Sequence, residues 1–232
     1  MSKRGKKSEN AAQKLGKDGF FSVGDALAKV KELAFAKFDE SVDVHVNLGI
    51  DPTKGDQGVR GSVVLPHGRG KEVKVLVFAK GDHADQAKQA GADYVGDQDL
   101  VDKISGGWMD FNYAVATPDM MGVVGKLAKI LGPRGLLPNK KTGTVTFDVG
   151  QVVQELKKGK AFYKNDKAAL VHFAFGKVSF DAEKLKENLT AFIKALIASK
   201  PAASKGKFLK RMTISSSMGV GIPVNPDEFM RT

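Results

Sequence analysis

The stretch Pro66-His-Gly-Arg-Gly-Lys-Glu-Val-Lys-Val-Leu-Val-Phe78 decides the fold of this chain, because the character of the sequence changes within it. Pro66 to Gly70 holds residues that end regular structure and reads as a linker. Val73, Val75, Leu76, Val77 and Phe78 then form a nearly continuous apolar run, which is expected of a strand buried on both faces. The run before the linker is of another kind. In SVDVHVNLGI, residues 41–50, Val42, Val44, Val46 and Leu48 alternate with Ser41, Asp43, His45 and Asn47. That period of two predicts a strand with one buried and one polar face, on which His45 reads as a solvated residue. Turn formers fill the next residues, and Ser62 to Leu65 is expected to return as the strand paired with it.

Downstream of Phe78 helical and strand-like segments alternate. DHADQAKQA and Asp99 to Ile104 read as helices and Tyr113 to Ala116 as a strand; Thr117-Pro118 stops that strand and Asp119 starts another helix. Val149 to Lys158 is a further helix. This order predicts a small α/β layer with a parallel sheet. Its loop LGPRGLLPNKKTGT lies in a span, Met120 to Phe147, with five Lys/Arg and no acid. It serves either as a contact to a polyanion or as a charged surface turn.

From Ala161 the earlier style returns. AFYK and Ala168 to Phe175 read as a hairpin around Asn165-Asp166. Read locally, Asp166 bonds its own turn, Lys167 is solvated, and His172, flanked by apolar residues, is a core histidine. Asp181 then caps a helix with Leu185, Leu189, Phe192, Ile193, Leu196 and Ile197 as its buried stripe. Phe208 to Ile214 is a strand, and Ser215, Ser216, Ser217, Met218 and Gly219 follow it. Hydroxyls and glycine amides at a strand end can bond phosphate and sugar oxygens, although the same residues also make ordinary turns. At the other chain end, Ser22 and Asp25 have capping-box spacing before a helix over 24–36. Lys37 and Phe38 close that helix, and a lone Phe there either packs beneath it or stacks on a base. Chain ends of one style around a middle of another predict a domain inserted into a split one, with links at Pro66–Gly70 and Lys157–Lys160.

A formal net charge of +11 on 232 residues argues for a polyanionic partner, nucleic acid before membrane, and 42% hydrophobic residues suffice for a core. With no cysteine, disulfides, thiolate metal sites and cysteine nucleophiles are excluded. No apolar run has transmembrane length and the N-terminus lacks a secretory core, so the cytoplasm is the expected compartment. Lys3, Arg4, Lys6, Lys7, Lys14 and Lys17 face only Glu9 and Asp18 there, which suits a phosphate-touching arm or a solvated tail. His45, His67, His83 and His172 are scattered, and zincin, nucleophile-elbow, Walker and dinucleotide patterns all fail. A nucleotide-using enzyme centred on the middle α/β segment is the competing class. A general basic coat protein, indifferent to RNA sequence, is a third.

The stretches KFDESVDVHVNLGIDP, VRGSVVLPHGRGK, KGDHADQAKQAGADYVG, GWMDFNYAVATPDMMG, KILGPRGLLPNKKTGTV, NDKAALVHFAFGK and TISSSMG resemble the family of large ribosomal subunit protein L one in its bacterial form. The GPRGLLPN and SSSMG stretches are the specific ones, and only the N-terminal arm and the tail after Pro223 match weakly. The resemblance implies a mixed α/β (α+β) chain of two domains. One, residues 1–67 and 159–232, is a discontinuous split β-α-β RNA-binding domain. The other, 68–158, is an inserted Rossmann-like α/β domain on a two-link hinge. It implies stalk ribosomal RNA, E-site tRNA and the leader of the chain's own operon mRNA as partners. It further implies no catalysis, no cofactor, no membrane partner and a monomer off the ribosome. By the same resemblance Lys37, Phe38, Asp166, Lys167, His172, Ser215, Ser216, Ser217, Met218 and Gly219 contact RNA. The family often has Thr at the Ser215–Ser217 positions, Pro at Val220, Glu at Asp43 and Thr at Ala168. The hydroxyls survive the first change, and no hydroxyl contact is implied at Ala168.

Overall fold

The computed structural model of the protein describes residues 5–16 and 19–229; Lys3, Arg4, Lys17 and Asp18 of the basic arm lie outside them. The chain divides into two compact units, Met1–Gly70 with Phe162–Thr232, and Lys71–Ala161.

The first unit is built on a four-stranded sheet. β1 (Ser41–Leu48) buries every second residue, Val42, Val44, Val46 and Leu48, to 1% exposure or less. The strict alternation in the sequence therefore becomes one apolar and one polar face. The partners of β1 come from the far end of the chain. β7 (Leu170–Lys177) pairs antiparallel on one side and β8 (Leu209–Ser216) on the other, and β9 (Ile222–Val224) adds the edge, in the order β7-β1-β8-β9. The expected pairing of β1 with the following segment does not form. That segment, β2 (Arg60–Val64), joins β6 (Lys160–Lys164) in a separate two-stranded sheet. Both edges of β1 are already taken, so its own return strand has nowhere to bond. The predicted 161–175 hairpin does not form as a ladder either: β6 pairs with β2 instead, and beyond its end Asn165 and Val171 make only an isolated bridge.

Helices α2 (Val23–Leu33) and α8 (Ala182–Ala198) pack on the apolar face. Ser22 caps α2 as its spacing predicts, accepting the Asp25 amide at 3.2 Å. The helix stops at Leu33 rather than 36, because Ala34 is extended and the Ala36 amide turns to Glu40 instead of to a helical carbonyl. In α8, Leu185, Leu189, Phe192, Ile193 and Leu196 are fully buried, while Ile197, expected in the stripe, is 36% exposed. Phe192 stacks on Phe173 at 4.2 Å and Tyr163 meets it edge-on. The described part of the basic arm is not a bare tail: Lys6–Leu15 forms α1, which buries Ala11 and Leu15.

The second unit is a three-stranded parallel sheet, β4 (Tyr94–Gly96), β3 (Val75–Phe78), β5 (Tyr113–Ala116), with β3 central and buried at every residue. Helices α3 (Asp82–Gln89) and α7 (Val149–Lys157) pack together, and both pack on β3. Leu76, Phe78, Ala114 and Ala116 share an apolar cluster with α4 (Gln98–Ser105) and with Met120, Val124, Leu127 and Leu131. The apolar run after β5 is broken into short turns, with α5 (Met121–Val124) and α6 (Ala128–Leu131) separated by one 3-10 turn, Gly125–Leu127. Gly122 and Gly125 within it lower the helical preference of so short a segment.

Candidate nucleic-acid interface

The polar face of the four-stranded sheet carries His45, His172 and Ser215, and the other candidate contact residues lie at the two ends of β1. Ser215 sits opposite Asp43, and His172 sits opposite His45. The two imidazoles meet with their Nδ1 atoms 2.8 Å apart, His45 Nε2 lies 3.3 Å from the Ser215 hydroxyl, and His172 Nε2 lies 3.5 Å from Asp166 Oδ2. The carboxylate only accepts, so it favours a proton on His172 Nε2. In the tautomer with that proton alone, His172 Nδ1 is the acceptor for His45 Nδ1, and His45 Nε2 is the acceptor for the Ser215 hydroxyl. In that arrangement the row runs one way, Ser215 to His45 to His172 to Asp166. Burial of His45 and the neighbouring His172 push the His45 pKa below its ordinary value, and Asp43 opposes them. His172 is not the core histidine its neighbours suggested; its side chain is 52% exposed.

Asp166 works first for its own turn. Oδ1 accepts the amides of Ala168 and Leu170, each at 2.8 Å. The Leu170 amide bond is the main reason its pKa lies low, with the Ala168 amide and His172 adding to it against some desolvation. The turn holds Ala169 at φ +60, a left-handed conformation rare for a residue with a side chain. Lys167 is exposed beside it.

At the opposite end of β1 lie Lys37, Phe38 and the 215–219 loop. Phe38 is 60% exposed and Met218 is 56% exposed, so Phe38 does not pack under its helix. β8 runs through Ser216, two residues beyond the predicted strand end, so the three serines have three different placements. Ser215 faces His45. Ser216 is buried, 5% exposed, and bonds Glu40. Ser217 is exposed; its amide donates to Ser41 O at 3.0 Å and its hydroxyl accepts from the Ser41 amide at 3.1 Å. Gly219 closes the turn by donating to Ser216 O, and a Cβ there would collide with the Ser216 hydroxyl, so close approach requires glycine.

These residues form two groups. Lys37, Phe38 and Ser215–Gly219 lie at one end of β1, and Asp166 and Lys167 at the other. The His45–His172 pair bridges a face about 24 Å long at about 3.4 Å per residue. Sequence reading missed Glu40 altogether and took His45 for a solvated residue. The register that pairs β1 with β7 would have found the histidines, but no local signal marks Glu40. Among the described residues no group of three or more His, Asp or Glu can hold a metal ion, and no helix is long and apolar enough to cross a membrane.

The sheet carries an extended polar face, the chain is basic, and its elements are mixed α and β. Comparison with known families accords with that picture: the Ribosomal protein L1p/L10e family model matches residues 30–220. This is a family of structural proteins of the large ribosomal subunit that bind ribosomal RNA, and not a family of enzymes. The match spans both units and every residue of the polar face discussed above, and the chain therefore belongs to the ribosomal protein L1p/L10e family.

Proposed function

We propose that the polar face of the four-stranded sheet reads the ribosomal RNA of the mobile stalk, with Lys37, Phe38, Asp166, Lys167, His172 and Ser215–Gly219 as its contact set. The observation that carries this is the exposure of Phe38 and Met218, two large apolar side chains, at the end of the sheet where β1 begins and β8 ends. Such side chains offer stacking and shape contacts to unpaired bases, while Ser215 and Ser217 address sugar hydroxyls. Lys37 and Lys167 add phosphate contacts that bring affinity without sequence preference. Ser216 contributes from beneath, by fixing the loop that presents Met218. On this reading the protein sits on the ribosome in the cytoplasm and assists release of deacylated tRNA from the E site. The same face binds a mimic of the stalk site in the leader of the chain's own operon mRNA and so represses translation.

The test is binding of the full chain to a stalk-rRNA hairpin and to an unrelated hairpin of equal length. F38A should weaken stalk binding by roughly 1–3 kcal/mol, the range for lost base stacking on an aromatic side chain, M218A should weaken it through lost apolar contact, and both should leave the unrelated hairpin unchanged. Stalk affinity that survives the double variant would remove this face as the reading surface. Binding of both hairpins with one steep salt dependence would favour the general coat reading instead.

A further inference from the structure

The group of contact residues at the start of β1 comes from two segments some 180 residues apart in sequence, and one buried carboxylate lies between them. Glu40 is 1% exposed. Its Oε1 accepts the Ala36 amide at 2.9 Å and its Oε2 accepts the Met218 amide at 2.9 Å. The Ser216 hydroxyl and the Phe35 amide are further donors to it. All four partners are uncharged N–H or O–H groups. The backbone around it is pinned as well: Val178 donates to Glu40 O at 2.9 Å, Ser41 exchanges bonds with Ser217, and the Asp39 carboxylate takes the amide and hydroxyl of Ser179.

We infer that Glu40 is a positioning residue for RNA recognition, a clamp whose two oxygens hold the 35–38 turn and the 216–219 loop at a fixed separation. The inference rests on the reading of this face given above. The chemistry requires a carboxylate. Each oxygen must accept, and an amide side chain would turn an NH₂ donor toward one of the two N–H groups. The charge cannot serve RNA directly, being out of reach of solvent and of the sign of phosphate. Its role is to fix Phe38 and Met218 relative to each other, so that two exposed apolar side chains form one preorganised platform rather than two loose ones. Burial alone would raise the carboxyl pKa, but the donors from Ser216, Met218, Ala36 and Phe35 outweigh it and leave the group below its ordinary value. Glu40 is therefore ionised under ordinary conditions.

The experiment compares the full-length wild type, E40Q and E40D for binding to the stalk-rRNA hairpin and to the unrelated hairpin across a salt series. E40Q releases one loop, and E40D, one methylene shorter, cannot reach both. Each should weaken the stalk hairpin at least about tenfold, leave the unrelated hairpin within about twofold, and keep the salt slope, since no phosphate contact is lost. In the free wild type, the Ala36 and Met218 amide resonances should shift with one common midpoint in acid, because one carboxylate serves both. That measurement stands even if a variant folds poorly. Variants that bind the stalk hairpin like wild type, a parallel loss for both RNAs, or separate midpoints for the two amides would each overturn the clamp. A wild type that does not distinguish the hairpins would instead overturn the reading of the face beneath it.

Discussion

Phe38 and Met218 keep large apolar side chains in water, which folding alone does not require. Truncating either to Ala should change unfolding free energy by no more than about 0.5 kcal/mol in a denaturant titration, the usual range for surface sites. A stability loss of several kcal/mol would mean that they pack in solution. His45 gives a second prediction at this scale. Its folded pKa lies below the ordinary 6.5, so between the two values the unfolded chain binds more protons. Acid therefore destabilises the fold through this residue, and its contribution is restored as pH rises through about 6.5. H45Q should flatten that part of the stability–pH profile measured by urea unfolding. A profile equally steep in H45Q would exclude His45 as its source. Glu40 acts at lower pH. A depressed carboxyl contributes stability above its unfolded value near 4.5, and that contribution is lost as pH falls through the folded value.

At the scale of elements, α8 does more than bury a stripe. Asn188 on its inner face is fully buried; its side-chain carbonyl accepts the His67 amide at 3.1 Å and its NH₂ donates to Gly68 O and Phe175 O. One side chain thus ties β7 to the segment leading out of β2. N188A should leave three backbone groups without this partner, of which the Phe175 carbonyl is at a buried contact, at a cost of roughly 1–3 kcal/mol for each one that water cannot reach. Thermal unfolding that shows a loss below 1 kcal/mol would mean that water replaces the side chain. The cap of α2 is a smaller case: S22A should cost about 1 kcal/mol, the usual value of an N-cap hydroxyl. Both positions show why a helical stripe in the sequence understates an element. The period of 3.6 finds the apolar face, and Asn188 breaks that pattern on the buried side.

At the scale of the molecule, charge sets the reach and the face sets the choice. A net charge of +11 brings the chain to any polyanion, with a salt dependence that counts phosphate contacts. K37A and K167A should each lower the magnitude of the salt slope by about 0.7–0.9 on the stalk hairpin, and the two losses should add. An unchanged slope in either variant would mean that lysine touches no phosphate. The split unit also predicts slow assembly. β1 pairs only with strands more than a hundred residues away, and such long-range closure precedes any reward in hydrogen bonds.

The sequence by itself determined the mixed α/β character, the alternating face of β1, the buried run of β3, the apolar stripe of α8 and the family to which the chain belongs. Each rests on a short-range pattern, because a residue's face in a strand or helix follows from its spacing to near neighbours. Tertiary structure decided who pairs with whom. It gave β1 to β7 and β8 rather than to β2, parted β6 from β7, set His45 against His172, and placed Glu40 under Met218. Those contacts join residues more than a hundred positions apart. Spacing along the chain carries no signal of them, since a strand's apolar face is the same whichever neighbour completes its hydrogen bonds.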